Sequence, residues 1–178
     1  MILLETERLV VRPWTAADAA AAFAIYCDPE VTRFLSTTRT HETLDDSHAW
    51  LRQMVEYNAA KPAGMGRWAA TLRATGQPIG SLGVAPLDGG PEIEIGYHIG
   101  RQWWGQGYAT ELARGGRDYA FDTLGLSRVV GVTFPDNVAS QRVLTKIGLR
   151  HQGRSRYFGY ELEYFALDAT DRPAPGRD

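Results

Sequence analysis

A chain of 178 residues with 44% hydrophobic and 22% charged residues has the make-up of one ordinary globular domain with a real core. Its formal net charge of −2 supplies no global attraction for nucleic acid or an anionic membrane surface, so neither is expected as a partner. The one cysteine, Cys27, excludes an internal disulfide; it reads as a helix-buried structural thiol, and the chain as cytoplasmic.

The start, MILLETER, brings in charge at once, so no signal peptide is expected. Leu9 to Trp14 reads as a first strand. Thr15-Ala16-Ala17-Asp18 is a capping-box pattern, and a helix should run on to about Cys27 and stop near Pro29. The apolar run 19–27 inside it is too short to span a bilayer. Thr43 to Asp46 repeats the cap and opens a helix to about Asn58, with Leu44, Trp50, Leu51, Met54 and Val55 at helical spacing. His41, Asp45 and His48 lie nearby without the further ligands a metal site needs, and no metal is expected.

Lys61 to Gly66 is a loop. Trp68–Arg73 and Gln77–Ala85 form a hairpin turning through Ala74-Thr75-Gly76. After the turn Asp88-Gly89-Gly90-Pro91 the segment EIEIGYHI alternates. Ile93, Ile95, Tyr97 and Ile99 face one side; Glu92, Glu94, Gly96 and His98 face the other. A helix is expected from Ala109 to about Leu124. Its Gly115-Gly116 pair costs roughly 1 kcal/mol per glycine relative to alanine and reads as close helix–sheet packing. Arg128–Thr133 is a strand and Ser140–Ile147 a short helix closed by Gly148. His151–Arg156 and Glu161–Leu167 are the last strands. The domain is expected to end at residue 168, with a frayed tail over 169–178.

Two stretches carry chemistry. In QWWGQGYATELARGGRDYA, Gly105 and Gly107 stand just ahead of a helix start. Such a turn exposes consecutive backbone N–H groups at the positive end of a helix, which suits a pyrophosphate. The same glycines would equally serve a tight connector. In FPDNVASQRVLTKIGL, Asn137 can cap the helix and Ser140 falls in its first turn. Ser140 is then either an ordinary helix-start serine or a hydrogen-bond donor to a departing anion.

Gln102-x-x-Gly105-x-Gly107, continuing as Tyr108-Ala109-Thr110-Glu111, resembles the acyl-CoA pyrophosphate loop of the GNAT superfamily of N-acetyltransferases. Asn137-x-x-Ser140-x-Arg142-Val143-Leu144-x-Lys146-x-Gly148 resembles the later helix of the branch that includes ribosomal-protein N-terminal acetyltransferases. ETERLVVRPW and DPEVTRFL are similar to the same branch, so the likeness runs from Leu4 to Leu167. It implies an α/β fold of the α+β type: a mixed, mostly antiparallel sheet with helices on both faces. Acetyl-CoA would lie between the strand ending near Ile99 and that of Arg128–Thr133. Its pyrophosphate would rest on the amides from Gly105 through Gln106, Gly107 and Tyr108 to Ala109, with Gln102 and Thr110 flanking. Asn137 would touch the pantetheine arm and Arg142 would add to the donor site. The implied reaction is direct transfer of acetyl to an amine, on a protein N-terminus or a small molecule. Relatives occur as monomers and as homodimers.

A protonated amine cannot attack a thioester, so a base or a water relay must take its proton. Glu94, on the polar face of the strand leading to the glycine turn, is the candidate, with Glu92 second on the same face. The resemblance implies either a tyrosine of this helix region or Ser140 as donor to the leaving thiolate; no tyrosine lies between Asn137 and Leu149, which favours Ser140. Arg156 stands where the ribosomal-protein enzymes have been discussed with a base, a departure from that branch. His98, Tyr157, Phe158 and Tyr160 read either as packing or as lining of an amine pocket. Trp103 and Trp104 read as core and lid packing. Two other readings remain. One is a non-catalytic CoA-binding protein. The other is a dinucleotide-binding module, for which Gly105-x-Gly107-x-x-Thr110 is one residue short of the fingerprint and sits past mid-chain.

Overall fold

Strands separated by glycine- and proline-marked turns build one sheet in the computed structural model, which describes residues 1–35 and 39–173. The elements in chain order begin with β1 (Leu4–Glu5), β2 (Leu9–Arg12), α1 (Ala19–Tyr26), α2 (Pro29–Thr32) and α3 (Leu44–Ala59). Then come β3 (Gly66–Leu72), β4 (Pro78–Pro86), β5 (Ile93–Ile99), α4 (Tyr108–Asp122) and β6 (Arg128–Thr133). The chain finishes with α5 (Val138–Lys146), β7 (Arg150–Tyr157) and β8 (Tyr160–Asp168). The strand order is β1-β2-β3-β4-β5-β6-β8-β7. Among the described residues every neighbouring pair is antiparallel except β5–β6, which is parallel. This is the mixed, mostly antiparallel α/β arrangement expected.

Both capping boxes form. Asp18 accepts from the Thr15 amide and is gripped by two Arg12 bonds of 2.8 Å, while Asp46 does the capping at Thr43. Helix α3 buries Trp50, Leu51 and Met54 against α1, but Leu44 and Val55 flank that stripe and are exposed. The opposite face of the sheet carries α4 and α5, whose Leu112 and Leu144 share one core with Leu82 and Ile95 of the sheet. A Cβ on Gly116 would stand 2.7 Å from Leu82 Cδ1, and one on Gly115 2.9 Å from Thr6 Cγ2. The paired glycines therefore let α4 lie against β4 and the N-terminal segment, and their helix-weakening cost is offset by that packing.

Some expectations are corrected. Cys27 caps the C-terminus of α1 and is exposed, because the buried side of α1 is formed by Ala19, Ala22, Ile25 and Tyr26. Pro29 both ends α1 and opens the single turn of α2, for which Asp28 is the N-cap. Chain order extends beyond Asp168: Ala169–Asp171 forms a 3-10 turn, and Arg172 pairs with Asp118 at 3.0 Å and with Asp122 at 2.9 Å. Residues 174–178 of the expected tail lie outside the described residues.

One topological feature positions the site. The β5–β6 ladder is confined to a single register pair, Glu94 with Val130. Beyond it the two parallel strands separate, leaving backbone groups on facing edges without ladder partners.

Candidate active site

The glycine turn lies between β5 and α4. Gly105 has φ +74° and Gly107, the N-cap of α4, has φ +83°; both are in the left-handed region where a side chain would be strained. No side chain caps the helix, and nothing stands within 4 Å of where a Cβ on Gly105 would be. The first amides of α4 therefore face open space at the positive end of a 15-residue helix.

The turn is braced from the N-terminal segment. Arg8 donates to the Gln106 carbonyl at 3.0 Å and to Glu111 at 2.6 Å, and its guanidinium lies 4.3 Å from the centre of the Tyr108 ring. Glu111 also accepts from Thr6 Oγ1 at 2.6 Å and the Arg8 amide at 2.7 Å. Burial opposes its ionisation, but the bonds from Thr6 and Arg8 outweigh that and hold the carboxyl below the usual range. The ETER segment thus has a physical role, which is to tie β1–β2 to the turn.

A cleft of about 1140 Å³ runs from this turn through the β5–β6 opening to the face that carries α1 and α3. Ile99, Gly105, Gly107, Tyr108, Ala109 and Thr110 line it, as do Asn137, Arg142, Glu94 and Ser140. Gln102 and Gln106 do not. Both are exposed, and Gln106 Nε2 donates to the Gln102 carbonyl at 3.2 Å. Gln102, expected to flank the pyrophosphate, thus lies outside the cleft lining, and the Gln106 carbonyl is held by Arg8.

Asn137 caps α5, its Oδ1 accepting from the Ser140 amide at 3.2 Å. The side-chain NH2 is left for another acceptor. The Tyr97 hydroxyl donates to the Ser140 carbonyl at 3.0 Å and lies 3.1 Å from Ser140 Oγ. Tyr97 also lines the cleft, and burial, above all, pushes its pKa up, so it stays protonated. The sequence reading placed Tyr97 in an apolar row and missed this pairing. The usable signal was a tyrosine, whose polar tip needs a partner, facing the same side as the helix that carries Ser140.

Glu94 is three residues from Tyr97 on β5 and so projects from the other face. Burial pushes its carboxyl up from 4.5 to about 7, against a smaller pull from the charge of Arg67 and a bond from the Val132 amide. A carboxyl so placed is poised to exchange a proton at neutral pH. Glu92 is engaged elsewhere, accepting from the hydroxyls of Tyr157, at 2.9 Å, and Tyr164, away from the cleft. Tyr157 does not line the cleft either, though Phe158 does. His98 lines it beside Ser81, with Nε2 2.5 Å from the Tyr26 hydroxyl. Burial first, and then Arg67, push His98 down to about 3, so it is neutral at working pH. Trp103 packs edge-on to Tyr108, and Trp104 donates to the Ile99 carbonyl at 2.6 Å.

An open parallel seam, a glycine turn at a helix start and a hydroxyl-bearing second helix define an acyl-CoA-dependent transferase. Residues 8–150 match the family described as Acetyltransferase (GNAT) domain, and the chain belongs to that family, whose acyl donor is acetyl-CoA. It is 35% identical to the uncharacterized N-acetyltransferase YoaA of Bacillus subtilis over 89% of both chains. It is 32% identical to the FsC-acetyl coenzyme A-N(2)-transacetylase of Aspergillus fumigatus over 97% of this chain and 71% of that protein. Among solved structures, the acetyltransferase from Agrobacterium tumefaciens is 28% identical with a TM-score of 0.74, covering 92% of each chain. The Mycobacterium smegmatis RimJ structure in complex with CoA-disulfide superimposes with a TM-score of 0.73 at 22% identity, covering 93% of this chain and 84% of that one. Among the described residues there is no N-terminal parallel βαβ unit, and the dinucleotide-binding alternative falls with it. No helix among the described residues is long and apolar enough to cross a membrane.

Proposed function

We propose that the chain acetylates a primary amine, of a small molecule or a protein N-terminus, with Glu94 as base and the Ser140–Tyr97 pair as acid. The observation that supports this is their placement. The carboxyl reaches the cleft from the α1–α3 face and the hydroxyl pair from the α4–α5 face, across the seam where β5 and β6 part.

The donor's anionic end is held by the amides of Tyr108 to Thr110 at the start of α4. Asn137 and the open β5 edge offer donors and acceptors to an amide-bearing arm, and Arg142 lines the same half of the cleft. Acetyl-CoA supplies the activated acyl group. Glu94 takes the proton of the incoming ammonium, directly or through one water, which frees the nitrogen lone pair. The amine nitrogen bonds the acyl carbon as the carbon–sulfur bond breaks. The Ser140 hydroxyl, backed by Tyr97, donates to the departing sulfur. With a thiol pKa of about 8.5 that departure needs only modest help, so the base is the more important of the two groups. The name of the Aspergillus relative, an N(2)-transacetylase, is consistent with amine acetylation. Such chemistry belongs in the cytoplasm, where the exposed Cys27 would stay reduced.

The test is free-thiol release from acetyl-CoA across a panel of amines and peptides. Amine-dependent release is expected, with loss of roughly 10²-fold or more in Glu94→Gln. Binding of acetyl-CoA without amine-dependent release would instead favour a non-catalytic CoA-binding protein.

A further inference from the structure

Among the described residues, the non-glycine residues with left-handed backbone are Asp88, at φ +47°, and Phe158, at φ +53°. They are bonded to each other: the Phe158 amide donates to the Asp88 carboxylate at 2.8 Å. Tyr157 pairs with Tyr160 across the β7–β8 hairpin, so Phe158 and Gly159 form its two-residue loop, and Gly159 has φ +82°. A loop with both central φ values positive is suited to Asn-Gly or Gly-Gly, and a bulky aromatic at its first position is disfavoured. Turn chemistry therefore does not call for Phe158. Nor does the core account for all of it. The ring packs on Leu87, Val130 and Ala166 but stays only half-buried, and the residue lines the cleft. Val130 is the register partner of Glu94, so this strained position, held by Asp88 from the β4–β5 turn, sets an aromatic ring on the same face as the base.

Other rings continue that wall. Phe134, which follows β6, lies 6.0 Å from the ring of Phe34, just after α2, and 5.1 Å from that of Tyr160, centre to centre. Phe34 and Phe134 line the cleft as well. Glu94 itself stands opposite Ala85 in register and accepts from the Val132 amide, and burial among such neighbours is what raises its carboxyl. The other acids lining the cleft are engaged or exposed. Glu30 pairs with Arg33 at 3.1 Å, Asp88 holds the Phe158 amide, and Asp136 is exposed, where water screens it. The face of Phe34 is already covered by a cation, the Arg33 guanidinium, at 4.4 Å. The wall beside the base is thus aromatic and offers no matched partner to a second charge on the acceptor.

We infer that the acceptor is a primary amine carried on an aromatic body, an arylalkylamine, whose ring lies against Phe158 and Phe134 while its nitrogen faces Glu94; this rests on the acetyl transfer proposed above. Offset or edge-to-face contact between aromatic rings is favourable beyond the area it buries. A diamine would bring a second ammonium against this wall, and a free amino acid a carboxylate, and each would lose hydration without gaining a partner. The step balances. The ammonium proton passes to Glu94, and the N–C bond forms as the C–S bond breaks. The sulfur leaves with the electron pair and a proton from Ser140, which the second nitrogen proton replaces.

The experiment compares thiol release for phenylethylamine, putrescine, phenylalanine and a short peptide with a free N-terminus. Wild type, Phe158→Gly, Phe158→Tyr and Phe134→Leu are assayed, with acetyl-CoA affinity followed by thermal shift. Phenylethylamine should lead each of the others in kcat/KM by about 10- to 10²-fold in the wild type. Phe158→Gly removes the ring and suits the left-handed backbone, so the variant should fold. It should bring the lead over putrescine to within a few-fold, through acceptor KM more than kcat, with acetyl-CoA affinity kept. Phe158→Tyr should keep most of the lead, and Phe134→Leu should lose part of it. Putrescine, phenylalanine or the peptide turned over as well as phenylethylamine, or a lead unmoved in Phe158→Gly, overturns the inference and leaves the acetyl transfer standing. No thiol release with any amine overturns both.

Discussion

The hydroxyls of Tyr97 and Ser140 lie 3.1 Å apart, one on a strand and one on a helix 43 residues further along the chain. Groups this close should act as a unit. Ser140→Ala and Tyr97→Phe are each expected to lower kcat by about 10- to 10²-fold with acetyl-CoA KM little changed, and the double variant should be scarcely worse than the poorer single one. Steady-state kinetics decide: a raised acetyl-CoA KM at constant kcat in Ser140→Ala would reduce Ser140 to a binding residue.

Glu94 predicts an acid limb in kcat/KM with a midpoint of about 7, because only the ionised carboxyl accepts the amine's proton. Glu94→Gln should remove that limb along with most of the turnover. A profile identical in the variant would return Glu94 to a bystander.

The same carboxyl sets a stability slope. Its folded-state pKa lies above the unfolded value of 4.5, so its stabilising contribution is full below about 4.5 and is lost as pH rises through about 7. Glu94→Gln should therefore be more stable than wild type at pH 8, by about 1–3 kcal/mol, and should flatten the dependence between those limits. Urea melts at pH 5 and pH 8 measure it.

Acetyl-CoA should stabilise the fold by about 2.7 kcal/mol at a hundred times its dissociation constant, and NAD should not. Gly107→Val should abolish that shift, because φ +83° excludes a β-branched residue and the added side chain would crowd the helix start. Arg8→Ala should weaken it by freeing the Gln106 carbonyl and Glu111 together. A full shift in both variants would place the anion elsewhere.

Asn137→Ala should cost about 1 kcal/mol through the lost cap and should also raise acetyl-CoA KM. Equilibrium melts and kinetics on one preparation separate the two effects.

What the sequence made legible was local. Capping boxes at Thr15 and Thr43, the alternation of β5, the glycine turn and the Asn137 cap depend on neighbours within a few residues, and each was readable from its own segment. What escaped depends on partners far along the chain. The Tyr97–Ser140 contact needs β5 and α5 docked. The exposure of Cys27 depends on which side of α1, apolar nearly all round, meets α3. The 169–173 segment looked like a tail because its anchor, Arg172 on Asp118 and Asp122, spans about half a hundred residues. That Arg67, Gly83 and Gly96 fall in one row across β3, β4 and β5 is a fact of register that nothing local announces.

The single Glu94–Val130 pair has a mechanical consequence. It makes the sheet two leaves, β1 to β5 and β6 to β8, joined at one stitch and overlaid by α4. A donor lying along the seam becomes the spine between them. Binding should then stiffen the whole molecule, and amide exchange should slow in β7, the edge strand beyond β8 that gives no residue to the cleft lining, as well as in the strands that line it.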